Sequence, residues 1–299
     1  MPRATIFVTG AESFVGRALR GACTAADIRF TGIDLAESTQ PDVVRGDIGD
    51  PDLAKLIPAN VDAVVHLAAL SRDADCRGRL TECIDVNVRG TLNVRAAARI
   101  RGARQFIFAS SEWVYGNGPF DTARTEDNPI DLASLASEYA LSKAIAEAVL
   151  RQDTATQGGN TTILRFGIIY GPRGTNWSAV EALAHTVATA ERVSVGALST
   201  ARRFIHVADI ADAILATLGR SGLETFNVQG PALTSLGDVI AAACVHTRRS
   251  PAVTETSPDT PSIRNIDATR FTEATGWVPR IGLIDGIASL GPAILARAA

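Results

Sequence analysis

Residues 5–16 read Thr-Ile-Phe-Val-Thr-Gly-Ala-Glu-Ser-Phe-Val-Gly, and this stretch decides the fold. Its first four residues are β-branched or aromatic, which favours a strand, and the apolar spacing after Ser13 favours a helix. Gly10 and Gly16 bracket the turn between them. A helix that follows such a turn presents main-chain N–H groups to a pyrophosphate. The stretch therefore predicts a dinucleotide-binding turn, in which Ser13 stands where a further glycine is common and rearranges or weakens the binding.

The second strand supports this interpretation. Residues 28–34 end in Asp34, roughly 20 residues beyond the turn, where a carboxylate accepts the ribose hydroxyls of NAD and repels the 2′-phosphate of NADP. An aspartate that merely caps a turn at the strand end is the alternative. A third strand is expected to close at 46–48, where Asp47 would meet the adenine amino group.

The chain continues with alternating strands and helices. Residues 62–69 form an almost continuous apolar run, typical of a strand buried on both faces, and His66 within it is predicted to be a core histidine. A helical stretch at 80–100 carries Asn87. The strand at 105–111 ends in Ser111, and the carboxyl ends of parallel strands border the ligand crevice of open α/β sheets. This alternation predicts a doubly wound, Rossmann-type parallel sheet in an α/β protein.

Tyr139 and Lys143 lie four residues apart and so share one helix face. Beside a nicotinamide ring, the lysine charge would lower the pKa of the phenol, and the tyrosine would exchange a proton with an alcohol. An ordinary surface pair is the alternative.

Composition and charge narrow the function classes. The 299 residues carry a net charge of −3, which gives no electrostatic basis for binding nucleic acid or an anionic membrane. No apolar run approaches the roughly 20 residues that span a bilayer, and no signal peptide is evident at the start. The four cysteines show no metal-binding spacing and the four histidines are dispersed, so we expect reduced thiols, a cytoplasmic location and no metal site.

Taken together, these motifs resemble the extended short-chain dehydrogenase/reductase family, whose best-known members are NAD-dependent sugar-nucleotide epimerases and dehydratases. The residues that carry the resemblance are 9–16, Asp34, 66–69, Asn87, Ser111, 114–116, Tyr139, Lys143, 164–172, 202–210 and 267–279. The resemblance covers nearly the whole chain in order.

The resemblance implies an NAD-dependent enzyme. Tyr139 would be the acid/base, Lys143 would bind the nicotinamide ribose and lower the pKa of Tyr139, and Ser111 would polarise the reacting oxygen. The implied cofactor-binding residues are Gly10, Ser13, Phe14, Val15, Gly16, Asp34, Asp47, Ile48, Leu67, Ala68, Ala69, Asn87, Tyr139 and Lys143. The candidate substrate-binding residues are Ser71, Ser111, Glu112, Asn176, Trp177 and Arg202.

Two departures bear on the substrate. Dehydratases of the family place two acidic or polar residues after the catalytic hydroxyl, whereas this chain has Glu112-Trp113, which disfavours a 4,6-dehydratase. Glu112 remains a candidate second acid/base or substrate ligand, with a solvent-facing loop acid as the alternative. The family's arginine for the substrate diphosphate aligns with Ser257, and Arg264 is the candidate replacement.

The predicted organisation is an NAD-binding domain at 1–170, with a return segment at about 201–229, and a smaller substrate-binding region at 171–200 and 230–299. Strands are expected to rejoin the sheet near 204–205 and 225–228, and 247–263 is expected to be a surface loop. By resemblance, the helices near 87–100 and 134–151 would form a homodimer interface.

Three functions follow from these observations. The first is oxidation or reduction of a secondary alcohol on a nucleotide sugar, by a 4-epimerase or a 4-keto dehydrogenase/reductase. The second is a dehydrogenase of a free sugar or sugar acid without a diphosphate, because Ser257 replaces the arginine. The third is an NAD-responsive binding protein without catalysis, against which the presence of Ser111, Tyr139 and Lys143 argues.

Overall fold

The computed structural model describes residues 3–116, 122–175 and 178–291. The chain divides into two compact units. The first contains Met1–Asn117, Glu126–Phe166 and Ala211–Phe226, and the second contains Gly118–Thr125, Gly167–Ile210 and Asn227–Ala299.

The strands of the described residues are β1 (Thr5–Thr9), β2 (Arg29–Asp34), β3 (Val43–Arg45), β4 (Ala63–His66), β5 (Gln105–Ser111), β6 (Asn160–Phe166), β7 (Ile169–Tyr170), β8 (Arg192–Val195), β9 (Ala201–Arg202), β10 (Ile205–His206), β11 (Leu223–Val228), β12 (Thr234–Ser235) and β13 (Ala252–Glu255). The α-helices are α1 (Phe14–Ala25), α2 (Asp73–Cys76), α3 (Leu80–Ile84), α4 (Gly90–Ile100), α5 (Glu138–Gln157), α6 (Ala179–Thr189), α7 (Val207–Ala216), α8 (Leu236–Thr247), α9 (Thr269–Thr275) and α10 (Leu283–Ser289). Short 3₁₀ turns lie at Leu53–Leu56, Glu112–Tyr115 and Leu132–Ser134.

Seven strands form one sheet in the order β11-β6-β5-β4-β1-β2-β3, and the pairings from β6 to β3 are parallel. The strand order reverses between β1 and β4, because β2 and β3 extend the sheet on one side and β4 to β6 on the other. In doubly wound sheets, the carboxyl ends of the strands at such a reversal border the ligand crevice. The predicted α/β, Rossmann-type fold is confirmed, and Gly10 and Leu67 follow the two strands at the reversal.

Apolar side chains from both the sheet and its helices fill the core of the first unit. Its fully buried members include Phe7 of β1, Phe106 and Phe108 of β5, and Leu150 of α5. The predicted helical stretch at 80–100 is present as α3 and α4, joined by a π-helical turn at Asp85–Arg89. Such widened turns often occur at functional sites.

The second unit has its own core, to which α6, α8 and α10 contribute. Its strands form three two-stranded sheets, β7 with β10, β9 with β12, and β8 with β13. The prediction that 204–205 rejoin the main sheet is wrong, because Ile205 and His206 pair with Ile169 and Tyr170 instead. The segment 247–263, which was predicted to be a surface loop, contains the exposed strand β13. This strand includes Val253, and β-branched residues favour strands. Every helix of the described residues is too short or too polar to cross a membrane.

Candidate active site

The glycine turn joins β1 to α1. Gly10 has a φ of +72°, and a Cβ at this position would lie 2.8 Å from Ala68 N. A Cβ on Gly16 would lie 2.3 Å from Gly10 O, so both positions require glycine. Ser13 is the N-cap of α1, and its Oγ accepts a hydrogen bond of 3.0 Å from Gly16 N–H. The serine that departs from the usual pattern therefore stabilises the helix N-terminus that the pyrophosphate site requires.

Asp34 lies at the end of β2 beside this turn. Its Oδ2 accepts a hydrogen bond of 2.8 Å from Glu12 N–H, and its Oδ1 accepts one of 3.0 Å from Ala36 N–H. These bonds orient the carboxylate, as the ribose end of a dinucleotide requires. Asp47 is exposed, and its Oδ1 accepts a bond of 2.8 Å from Gly49 N–H.

The chain after β4 is bonded to the end of β1. The N–H groups of Leu67 and Ala68 both donate to Thr9 O, at 3.1 Å. Six of the predicted cofactor-binding residues are half-buried at the start of α1 and after β4: Ser13, Phe14, Val15, Leu67, Ala68 and Ala69. Ile48 is only 7% exposed and belongs to the core of the unit.

His66 is a core histidine, as predicted, with both ring nitrogens bonded. Thr91 Oγ1 donates to Asn87 O at 2.6 Å, so it accepts from His66 Nε2 at 3.0 Å. This assignment leaves Nδ1 to accept from Thr9 Oγ1 at 2.6 Å. Burial, together with the charge of Lys143, lowers the pKa of His66 to about 3. The ring is therefore neutral at pH 7 and connects β1, β4 and the first turn of α4.

Asn87 lies in the π-helical turn and bonds to two other segments. Its Oδ1 accepts from Leu70 N–H at 2.8 Å, and its Nδ2 donates to Leu70 O at 3.0 Å and to Ser142 Oγ at 2.9 Å. Ser142 Oγ in turn donates to Tyr139 O at 2.8 Å. Asn87 thus fixes the segment after β4 relative to the first turn of α5, consistent with its expected role around the cofactor.

Ser111, Tyr139 and Lys143 lie together where β5 ends beside α5. The Ser111 side chain lies close enough to that of Tyr139 to lower the pKa of the phenol, and its Oγ accepts from Trp113 N–H at 3.3 Å. Lys143 is 3% exposed, and its Nζ donates to Ala109 O at 2.8 Å. The structure therefore brings the three predicted catalytic side chains into one cluster.

The pKa values of this cluster are set mainly by burial. Desolvation raises the pKa of Tyr139 to about 12, and the hydrogen bond from Ser111 opposes this rise. The predicted lowering of the Tyr139 pKa by Lys143 stays a prediction. Desolvation also lowers the pKa of Lys143 to about 8, against the opposing effects of Cys83, Cys76 and a carboxylate at Glu147.

A buried ion pair lies next to the cluster. Glu147 lies one turn beyond Lys143 on α5, and its Oε2 is 2.7 Å from Arg165 Nη2. Ser110 Oγ donates to Glu147 Oε1 at 2.6 Å, and Arg165 Nη1 donates to Tyr115 Oη at 2.8 Å. Burial alone would lower the pKa of Arg165, but the hydrogen bonds and charge of Glu147 raise it above its ordinary value.

The predicted substrate residues fall into different environments. Glu112 is 1% exposed in the 3₁₀ turn after β5, so the alternative of a solvent-facing loop acid is wrong. Ser71 is exposed. Asn176 and Trp177 lie outside the described residues, and their predicted roles stay predictions.

Arg202 and Arg264 belong to adjacent segments of the second unit. Arg202 Nη1 donates to Ser262 O at 2.6 Å and its Nη2 to Ser262 Oγ at 2.9 Å. Arg264 is 3% exposed, and its main-chain N–H donates to Ala201 O at 3.1 Å. Ser257 is exposed, and its N–H donates to Gly196 O at 2.7 Å.

Several partners of these side chains did not emerge from the sequence, namely Thr9, Glu12, Ser142, Glu147 and Arg165. For Glu147 a signal was available, because it follows Lys143 by four residues on the same helix face. Arg165 has no such signal, since its pairing depends on how β6 is placed against α5. Within the described residues, no group of three His, Cys, Asp or Glu side chains is arranged to hold a metal ion.

The sheet, the glycine turn and the Ser–Tyr–Lys cluster are those of a protein of the extended short-chain dehydrogenase/reductase class. Residues 6–228 match the NAD dependent epimerase/dehydratase family, and the chain belongs to that family. The protein is therefore an enzyme, and its cofactor is NAD.

Individual proteins similar to this chain include a sugar-nucleotide reductase and a sugar-nucleotide epimerase. The chain is 30% identical to the dTDP-4-dehydro-6-deoxy-D-allose reductase of a Streptomyces species, over 78% of each chain. It is 29% identical to the UDP-glucose 4-epimerase of Mycolicibacterium smegmatis, over 94% of this chain and 95% of that one. The UDP-glucose 4-epimerase structure from Stenotrophomonas maltophila, with NAD and formylated UDP-arabinopyranose, has a TM-score of 0.88 at 22% identity, over 99% of this chain and 100% of that one, which shows the same fold.

Proposed function

We propose that this enzyme oxidises or reduces the C4 alcohol of a nucleotide sugar, as a 4-epimerase or a 4-keto reductase. The observation that carries the proposal is the clustering of Ser111 and Tyr139, whose side chains are close enough for Ser111 to lower the pKa of the phenol, with Lys143 one helical turn from Tyr139. Two hydroxyls and one ammonium form a proton-transfer set that a purely NAD-binding protein does not need. The kinship with a 4-epimerase and a sugar-nucleotide reductase supports the same reaction class.

When bound, NAD supplies the hydride chemistry. The residues of the chain manage the proton and the oxygen. Tyr139 Oη takes the proton of the substrate hydroxyl during oxidation and returns it during reduction, while Ser111 Oγ donates to the reacting oxygen. Lys143 holds its charge near this oxygen and, with Asn87 fixing the start of α5, keeps the set in place.

The cofactor would occupy the first unit. Asp34, oriented by two main-chain N–H groups, would hold the adenosine ribose, and the N-terminus of α1 would hold the pyrophosphate. The second unit would supply the substrate-binding region, with Arg202 and Arg264 as the cationic candidates for the diphosphate. Glu112 and Ser71 would contact the sugar.

A first experiment separates the two variants of this function. Purified protein is denatured, and the supernatant is assayed for NAD and NADH. Near-stoichiometric cofactor indicates an epimerase, which regenerates its cofactor within each cycle. Protein that is purified without cofactor but binds added NAD indicates a reductase or dehydrogenase. Protein that binds no nicotinamide cofactor overturns the proposal. Turnover is then measured on UDP-, dTDP- and GDP-sugars.

A free sugar or sugar acid is the second candidate substrate, favoured by Ser257 at the position of the diphosphate arginine. Competition discriminates between the two candidates. UDP, dTDP or GDP inhibits an enzyme that holds a diphosphate and leaves an enzyme for free sugars unaffected.

We also propose a homodimer in the cytoplasm. The four cysteines are free thiols, which supports a reducing compartment. On α4, Leu92 and Ile100 are exposed, whereas Ala97 is buried against its own unit. Light scattering on the eluting protein measures its mass, and a monomer at micromolar concentration would refute the dimer.

A further inference from the structure

A second acidic residue, Glu12, lies within the glycine turn itself and is bonded to Asp34 through its main chain. Glu12 donates its main-chain N–H to Asp34 Oδ2 at 2.8 Å. Its side-chain Oε1 accepts from Arg20 Nη2 at 2.5 Å and from Ser38 Oγ at 2.6 Å. Glu12 therefore joins the turn, helix α1 and the segment after β2, which surround the carboxylate predicted to bind the ribose.

Arg20 is held at this place by more than its ion pair. Its Nη2 also donates to Ala11 O at 3.1 Å, and its Cζ lies 5.2 Å from the centroid of the Phe30 ring. Among the described residues, its buried Nε has no hydrogen-bond partner. Removal of the Glu12 charge would therefore leave the positioned guanidinium group without its counter-ion.

The charge of Glu12 is secured by its neighbours. Burial alone would raise its pKa, but the hydrogen bonds from Ser38 and Arg20 and the charges of Arg20 and Arg17 lower it below its ordinary value. The carboxylate is therefore ionised at neutral pH. The ion pair is only partly exposed, with 19% of the Arg20 side chain and 17% of the Glu12 side chain accessible, so solvent screens it less than a surface pair.

We propose that Glu12 determines the preference of this enzyme for NAD over NADP, a proposal that rests on the proposed cofactor site. It acts in two ways. Its negative charge adds to that of Asp34 against a 2′-phosphate, and it occupies the guanidinium group of Arg20, which would otherwise bind that phosphate. Discrimination then depends on two acids and one neutralised arginine, and not on Asp34 alone.

The test measures the binding of NADH and of NADPH directly. Nicotinamide fluorescence reports the binding, and no substrate is present. Glu12→Gln keeps the shape of the side chain and its acceptor oxygen but removes the charge. We expect NADPH to bind at least about tenfold more tightly to this variant than to wild type, with NADH affinity changed less than about threefold. The preserved NADH affinity also shows that the variant is folded.

Two further variants make the test specific. Glu37→Gln removes the same charge from an exposed side chain nearby, 89% accessible, and should leave the NADH/NADPH ratio unchanged. Adding Arg20→Ala to Glu12→Gln should cancel most of the NADPH gain. The gain in the single variant should shrink as salt rises, because it is electrostatic.

Each outcome has one meaning. An unchanged ratio in Glu12→Gln, with NADH still bound, overturns the role of Glu12 and leaves the proposed function intact. Wild-type protein that binds NADH and NADPH equally also overturns it. Wild-type protein that binds neither cofactor refutes the proposed function itself.

Discussion

Glu147 and Arg165 form an ion pair that is almost completely enclosed, with side chains 1% and 2% exposed. Three hydrogen-bond contacts of 2.7 to 3.2 Å join the two groups. The pair contacts the end of β5, because Ser110 Oγ, next to Ser111, donates to Glu147 Oε1. A buried pair contributes little net stability relative to apolar residues, but each partner depends on the other.

Removal of one partner should therefore be costly. We expect Glu147→Gln to lower the free energy of unfolding by about 3–5 kcal/mol, because it leaves the Arg165 charge buried without its counter-ion. Urea denaturation at pH 7 measures the change. The matched control is Arg151→Ala, which removes the partly exposed partner 3.7 Å from Glu147 and should cost less than about 1 kcal/mol. Equal losses in the two variants would refute the dependence.

The sequence was sufficient to predict most of the first unit. The alternation of apolar strands and helices, together with the turn at Gly10, predicted the parallel sheet, because each signal is local. The cluster of Ser111, Tyr139 and Lys143 was predictable through the resemblance. The Glu147–Arg165 pair was not, because its partners lie 18 residues apart on different elements. Burial and long-range pairing depend on tertiary packing, which single-sequence patterns do not encode.

His66 should make the fold sensitive to acid. An unfolded histidine takes up its proton near pH 6.5, whereas folded His66 does so only at about pH 3, because of burial and the charge of Lys143. Its depressed pKa therefore costs stability as pH falls from 6.5 towards 3, by about 2–3 kcal/mol at pH 4.5. Urea denaturation of His66→Gln at pH 7 and pH 4.5 should show a smaller loss than wild type. The exposed His246 gives the control, and a loss reduced equally by His246→Gln would contradict this prediction.

Lys143 should titrate well below an ordinary lysine. Of the 29 basic residues only two are lysines, Lys55 and Lys143, so selective ¹³Cε-lysine labelling yields two side-chain resonances. We expect one to titrate near pH 8, because burial disfavours the charged form of Lys143. The other should titrate above the ordinary lysine range, because the hydrogen bond and charge of Asp52 raise the pKa of Lys55. Lys143→Met assigns the signals, and two midpoints above pH 10 would refute the prediction.

The same burial implies a conflict between stability and activity. Below pH 8, Lys143 is charged in both the folded and unfolded states, and its desolvation destabilises the fold. As pH rises from 8 to 10.5, only the folded state releases the proton, and this cost disappears. We expect Lys143→Met to raise the free energy of unfolding at pH 7 by roughly 1–2 kcal/mol, after subtraction of the lost hydrogen bond to Ala109. The variant should therefore unfold at a higher urea concentration. The stability of Lys55→Met should match that of wild type, and a less stable Lys143→Met would contradict the argument.

Substitutions of Tyr139 and of Ser111 should have different effects on the rate and on its pH dependence. Tyr139→Phe removes the proton-transfer group, so kcat should fall by about 10²–10⁴-fold while NADH binding is retained. Ser111→Ala keeps that group but removes the hydrogen bond that lowers the pKa of Tyr139. Its kcat should fall less, and the limb of the pH–rate profile that Tyr139 sets, which is the alkaline limb in the reduction direction, should move to higher pH. A profile that is lowered without a shift would mean that Ser111 binds substrate without tuning the tyrosine, and full activity of Tyr139→Phe would remove Tyr139 from the mechanism.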